Sequence, residues 1–134
     1  MQLVPQEGRL PMTGLPLAGH RVLVVEDEPL VAMFIEELLV EQQSVVVGPF
    51  NRLEAALEAA RSAAIDIALL DVIVEDVAAS PVAHVLSARR IPFLLLSDYD
   101  PEAVPADHPE WGFCSKPFSG KTLVRKMLEQ LSSR

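Results

Sequence analysis

The stretch "RVLVVEDEPLVAM", residues 21–33, decides how the rest of the chain is read. Val22–Val25 is a short, β-branched apolar run, the kind that fills a strand buried on both faces of a parallel sheet. It runs directly into three acids, Glu26, Asp27 and Glu28, and then into Pro29. Proline suits the first position of a helix, where its missing N–H has no intrahelical partner in any case. Val31, Phe34, Ile35, Leu38 and Leu39 then recur at helical spacing, predicting an amphipathic helix. Strand, acidic turn, helix is the first unit.

The pattern repeats outward from there. Apolar strands are expected at 44–50, 66–71 and 92–97, with a weaker fifth at 112–115. Helices are expected from Asn51, where Asn51 and Glu54 resemble a capping box, over Pro81–Arg90, and from about Ser119. Strands alternating with helices predict an α/β fold with a parallel sheet. Between the fourth and fifth strands, Pro101, Pro105 and Pro109 leave room for little more than one helical turn. Residues 1–19, with three prolines and three glycines and no sustained periodicity, read as a flexible lead-in, and 20–134 as one domain.

Bulk properties narrow the class. The 134 residues carry a formal net charge of −8, which argues against binding nucleic acid or an anionic membrane through a basic face. One cysteine, Cys114, forms no internal disulfide, which fits a reducing cytoplasm. Neither a membrane span nor a secretion signal is visible.

In an open parallel sheet the binding crevice lies beyond the carboxyl ends of the strands. Here those ends carry Glu26 and Asp27, Asp71, Ser97 and, past the fifth strand, Lys116. Carboxylates sharing a crevice repel unless a cation enters, and hard oxygen ligands suit Mg²⁺. A nucleophilic carboxylate, a divalent ion, a hydroxyl and a fixed ammonium are what an aspartyl phosphate requires. Single features have plainer readings. "SGKT", 119–122, imitates the end of a phosphate-binding loop but lacks the glycine five residues before Gly120. His20, His84 and His108 have no metal-ligand spacing, Glu75 and Asp76 read as solvated loop acids, and Trp111 and Cys114 as packing residues.

"VLVVEDE", "LLD" at 69–71, Ser97 after an apolar strand and "KPF" at 116–118, in this order and spacing, resemble the receiver domain of bacterial two-component response regulators. The resemblance spans residues 20–133. It implies a flavodoxin-like, doubly wound five-stranded sheet of order 2-1-3-4-5, with Asp71 as phosphoacceptor. It implies Mg²⁺ bound by Glu26, Asp27, Asp71 and the backbone carbonyl of Ile73. Ser97 and Lys116 would contact the phosphoryl group, the Lys116–Pro117 bond would be cis, and Ser97 and Phe113 would be the switch pair. "SPVAHVLSARRIPFLLLSDYD" is further similar to the single-domain receivers called the FAT GUY subgroup, associated with a shortened or disordered fourth helix. Ser97 stands where that subgroup has threonine. Asp98 stands where it has glycine, putting a carboxylate at the mouth of the phosphoryl pocket as a modulating residue. The implied partners are a sensor histidine kinase and a downstream protein, with no residues after Arg134 for an output domain. Two rivals remain: a pseudo-receiver that binds proteins without phosphorylation, and a small aspartyl-phosphate hydrolase, against which Asp71-Val72-Ile73 lacks the second aspartate.

Overall fold

A computed structural model describes residues 15–98, 104, 105, 107, 108 and 110–133. In chain order the elements are β1 (Arg21–Val25), α1 (Pro29–Glu41), β2 (Val45–Phe50), α2 (Leu53–Ser62) and β3 (Ile67–Asp71). A short hairpin follows, β4 (Ile73–Val74) and β5 (Val77–Ala78). The chain continues with α3 (Ser80–Ala88), β6 (Phe93–Ser97), β7 (Gly112–Ser115) and α4 (Gly120–Ser132). Five strands form one parallel sheet of order β2-β1-β3-β6-β7. With the hairpin set aside, that is the expected 2-1-3-4-5.

The sheet divides two apolar layers because successive side chains leave a strand on opposite faces. On one face Leu23, Val25, Ala68 and Leu70 pack with Ala56 and Ala60 of α2 and Val82, Ala83 and Leu86 of α3. On the other, Val22, Val24, Ile67 and Leu69 pack with Ile35 and Leu39 of α1 and Leu123 and Met127 of α4. β3 and β6 are buried along their whole length, as the unbroken apolar runs of a central strand require.

Three local readings shift. Helix α1 turns Ala32, Ile35 and Leu39 to the sheet, while Phe34 is 42% exposed and rests against Phe118, with ring centroids 6.1 Å apart. Val31 and Leu38 of the expected stripe pack half-buried against the same layer, so the difference is confined to Phe34, which leaves it, and Ala32, which joins it. Helix α2 starts at Leu53 with Arg52 as its N-cap, so Glu54 falls one position short of the capping-box site and Asn51 makes no cap. Residues 15–19 fall within the expected lead-in and are ordered. They form a turn in which Leu17 is fully buried, its carbonyl accepts from Ser44 Oγ, and Gly19 N–H donates to Gln43. Packing therefore begins before residue 20, and residues 1–14 lie outside the described residues. So do residues 99–103, 106 and 109, on which the expected shortened fourth helix falls. Among the described residues no helix is long and apolar enough to cross a membrane.

Candidate phosphoacceptor site

The sheet itself places the polar groups. Beyond the end of β1, Glu26 N–H still donates to the Phe50 carbonyl of β2. Asp71 is the last residue of β3, and its neighbour Val72 donates to Leu96 of β6. Ser97 ends β6 opposite Ser115, and Lys116 N–H donates to the Ser97 carbonyl at 2.8 Å. Four parallel strands thus deliver two acids, a hydroxyl residue and a lysine to one edge.

Their side chains converge. Glu26, Asp27 and Asp71 each offer a carboxylate oxygen within 4.8 Å of the others. Glu26, Asp71 and Ser97 are buried, whereas Asp27 is half-buried. The Lys116 ammonium lies 2.9 Å from Glu26 Oε1, 2.7 Å from Glu28 Oε1 and 3.4 Å from Asp71 Oδ2. Asp27, Glu28 and Asp71 open onto a cleft of about 230 Å³ lined also by Ser97, Asp98, Ile73 and Asp76. Asp98 is exposed at its rim. Phe113, half-buried on β7 beside Leu95 of β6, lies in the packed layer under α3. The Lys116–Pro117 bond is cis, and so is Gly48–Pro49, which the sequence reading passed over.

Electrostatics mark the cluster as short of positive charge. Burial first, then the neighbouring Glu26 charge, pushes the Asp71 carboxyl up from 3.8 to about 8, against the opposing pull of Lys116. Burial works against the charged form of Lys116, but hydrogen bonds to Glu28 and Glu26 and the charge of Asp71 outweigh it. The ammonium is held above the ordinary lysine range. A divalent cation fits this donor set: hard oxygens, closely spaced, with more negative charge than one ammonium neutralises.

The hairpin was not foreseen. Glu75 and Asp76 form its two-residue turn, both at positive φ (50° and 63°), the backbone of a type I′ turn. Asn-Gly or Asp-Gly is the usual sequence signal for that turn, and Glu-Asp is neither. At the tip, Glu75 N–H donates to Asp27 Oδ2 at 2.8 Å, which ties the hairpin to the acid cluster. The ladder alternates: Val74 faces Val77, Ile73 faces Ala78, and Ala79 N–H donates to Val72. Ile73 therefore sits at a non-hydrogen-bonded pair, and its carbonyl is not consumed by the hairpin. Glu28, read as one more acid of the turn, is a principal partner of Lys116, a contact across 88 residues that no local pattern announces.

The remaining motifs take plain roles. Ser119 caps α4 by accepting from Thr122 N–H at 3.1 Å, which accounts for "SGKT". His108 stacks on Trp111 with centroids 4.1 Å apart, and His84 meets both rings edge-on. Cys114 is buried, and burial raises its thiol above the ordinary range.

No protein-family model matches the chain, and no curated protein does. Solved structures do. SdrG from Sphingomonas melonis Fr1 is 33% identical over 85% of this chain and 97% of its own, with a TM-score of 0.74. The signal receiver domain of a modulated diguanylate cyclase from Desulfovibrio desulfuricans G20 is 28% identical over 86% and 95%, with a TM-score of 0.75. The receiver domain of sensor histidine kinase PA1611 from Pseudomonas aeruginosa PAO1, with a magnesium ion in its active-site cleft, shares the fold at 23% identity. It covers 86% of this chain and 99% of its own, with a TM-score of 0.69. With its strand order, strand-end acids and a relative of this identity over nearly its whole length, the chain belongs to the receiver-domain family of response regulators.

Proposed function

We propose that this receiver accepts a phosphoryl group from a phosphohistidine of a sensor histidine kinase onto Asp71 and passes the signal on by protein contact. The observation that carries the reading is the Asp71 carboxylate, at the end of β3, facing a small cleft with Glu26 and Asp27 within 4.8 Å and the Lys116 ammonium at 3.4 Å. Glu26, Asp27, Asp71 and the Ile73 carbonyl would hold Mg²⁺. When bound, the ion supplies positive charge that draws the Asp71 carboxyl down and offsets charge on the transferred group. The magnesium ion in the active-site cleft of the PA1611 receiver supports that choice of metal.

In the proposed transfer an Asp71 oxygen forms a bond to phosphorus as the nitrogen–phosphorus bond of the donor breaks. The electron pair returns to the imidazole nitrogen, which takes a proton from solvent. Lys116 and the Ser97 hydroxyl offer donors to the phosphoryl oxygens, and Ser97 with Phe113 would relay the change toward the surface. Hydrolysis reverses the modification: water attacks phosphorus and the Asp71 carboxylate leaves. The chain is then a phosphoacceptor with at most self-dephosphorylation, not an enzyme acting on a separate substrate. Incubation with acetyl phosphate and Mg²⁺, followed by intact mass, tests it. One phosphoryl group per chain is expected, and turnover of phosphate esters without a labelled protein would contradict the reading.

Asp98 favours a second reading. Its carboxylate at the cleft rim repels an incoming dianion, as a pseudo-receiver that binds partners without phosphorylation would tolerate. Absence of label in the same experiment supports that alternative.

A further inference from the structure

We infer that Glu28 competes with the phosphorylated centre for Lys116, so that the Glu28–Lys116 ion pair holds the site in its resting state. This inference rests on the phosphoacceptor reading of Asp71. The geometry is specific. Lys116 Nζ is 2.7 Å from Glu28 Oε1 and 2.9 Å from Glu26 Oε1 but 3.4 Å from Asp71 Oδ2, so the resting ammonium is shared among three acids and lies nearer the half-exposed Glu28 than the phosphoacceptor. The Lys116 side chain is 6% exposed, so its charge is divided among these acids rather than given to water.

Glu28 is placed for the task by the start of α1. It is the helix N-cap residue, yet its side chain makes no cap bond, so its carboxylate is left to reach Lys116. Its own N–H donates to Glu26 Oε2 at 3.1 Å, which ties its backbone to the acid cluster. The Glu28 side chain also lines two cavities: the acid cleft, and a neighbouring apolar groove of about 300 Å³ that includes Leu30, Phe34 and Phe118. A phosphoryl group on Asp71 meets Glu28 twice over, through a lysine held closer to Glu28 than to Asp71 and through a like charge in the same wall. Both effects have the same sign.

Two variants separate the ion pair from mere charge. Glu28→Gln removes both, whereas Glu28→Asp keeps the charge but is one methylene too short to hold Lys116 at the same contact. Beryllofluoride with Mg²⁺, a mimic of the aspartyl phosphate, is titrated into the parent and each variant. Glu28→Asp should bind it up to about fivefold more tightly, the scale of one partly exposed ion pair, and Glu28→Gln more tightly still. The Lys116 ε-methylene resonances of the ligand-free protein should shift in both variants. Binding by Glu28→Asp that matches the parent, or weaker binding by Glu28→Gln, overturns the competition while leaving the phosphoacceptor reading intact. No binding by the parent or any variant overturns that reading and this inference together.

Discussion

Asp71→Asn tests the electrostatics of the site without any ligand. With Glu26 and Asp27 oxygens within 4.8 Å, each repels an ionised Asp71 by roughly 3–4 kcal/mol at an effective dielectric near 20. Lys116, at 3.4 Å, returns roughly 5 kcal/mol on the same basis. The balance is roughly 2 kcal/mol of net repulsion, and burial of the carboxylate adds to it. Asparagine keeps the shape and removes the charge. In metal-free buffer at pH 8 the variant should therefore melt about 8 °C above the parent, taking about 4 °C per kcal/mol, the value where the ranges for smaller and larger domains meet. The sign of the pH dependence follows from the raised carboxyl, 3.8 ordinarily and about 8 here. Between those values the folded protein binds more protons than the unfolded chain, so the parent loses stability as pH rises. The gap between variant and parent should narrow as pH falls from 8 toward 4. Millimolar Mg²⁺ should raise the parent far more than the variant, by about 2.7 kcal/mol at a hundred times its dissociation constant. Equal melting at pH 8, or a gap that does not change with pH, would refute the reasoning.

Asp98→Gly should bind beryllofluoride several-fold more tightly than the parent, with the difference shrinking as salt is added; equal affinity at low salt would remove Asp98 from the phosphoryl pocket. Asp27→Ala should abolish stabilisation by Mg²⁺ and also speed amide exchange at Glu75, whose N–H it accepts. Unchanged responses would separate Asp27 from both. Asp76→Gly relieves a left-handed residue in the hairpin turn and should stabilise the protein, because the glycine fits φ > 0 without strain, net of about 1 kcal/mol of added chain entropy. A fall in melting temperature would show that Asp76 makes contacts worth more than the relief.

The sheet was legible because buried parallel strands leave unbroken apolar runs. "VLVV", "IALL" and "FLLL" each end within a residue of the observed strand. Asp71, Glu26, Asp27, Ser97 and Lys116 followed, since strand ends in such a sheet share one edge. What stayed hidden depended on contacts between distant residues or on backbone angles. The β4–β5 hairpin uses a Glu-Asp turn at positive φ, for which Asp76 gives a weak preference and Glu75 none. The burial of Leu17 depends on Ser44 and Gln43, brought alongside only when β2 pairs with β1. The stripe of α1 held at Val31, Ile35, Leu38 and Leu39, while Ala32 was missed because a methyl side chain counts little in a periodicity. Glu28 looked like one acid among three until the end of β7 set Lys116 against it.

The central claim is that Asp71, and no other carboxylate, takes the phosphoryl group. Its direct measurement is to treat the protein with acetyl phosphate and Mg²⁺, reduce the acyl phosphate with borohydride, and sequence the peptides by mass spectrometry. Reduction turns a phosphorylated aspartate into homoserine and leaves free carboxylates unchanged. The account predicts homoserine at position 71, dependent on Mg²⁺ and lost in Asp71→Asn. Homoserine or its glutamate counterpart at Glu26, Asp27 or Asp98, or no modified residue under conditions that label an established receiver, would contradict it.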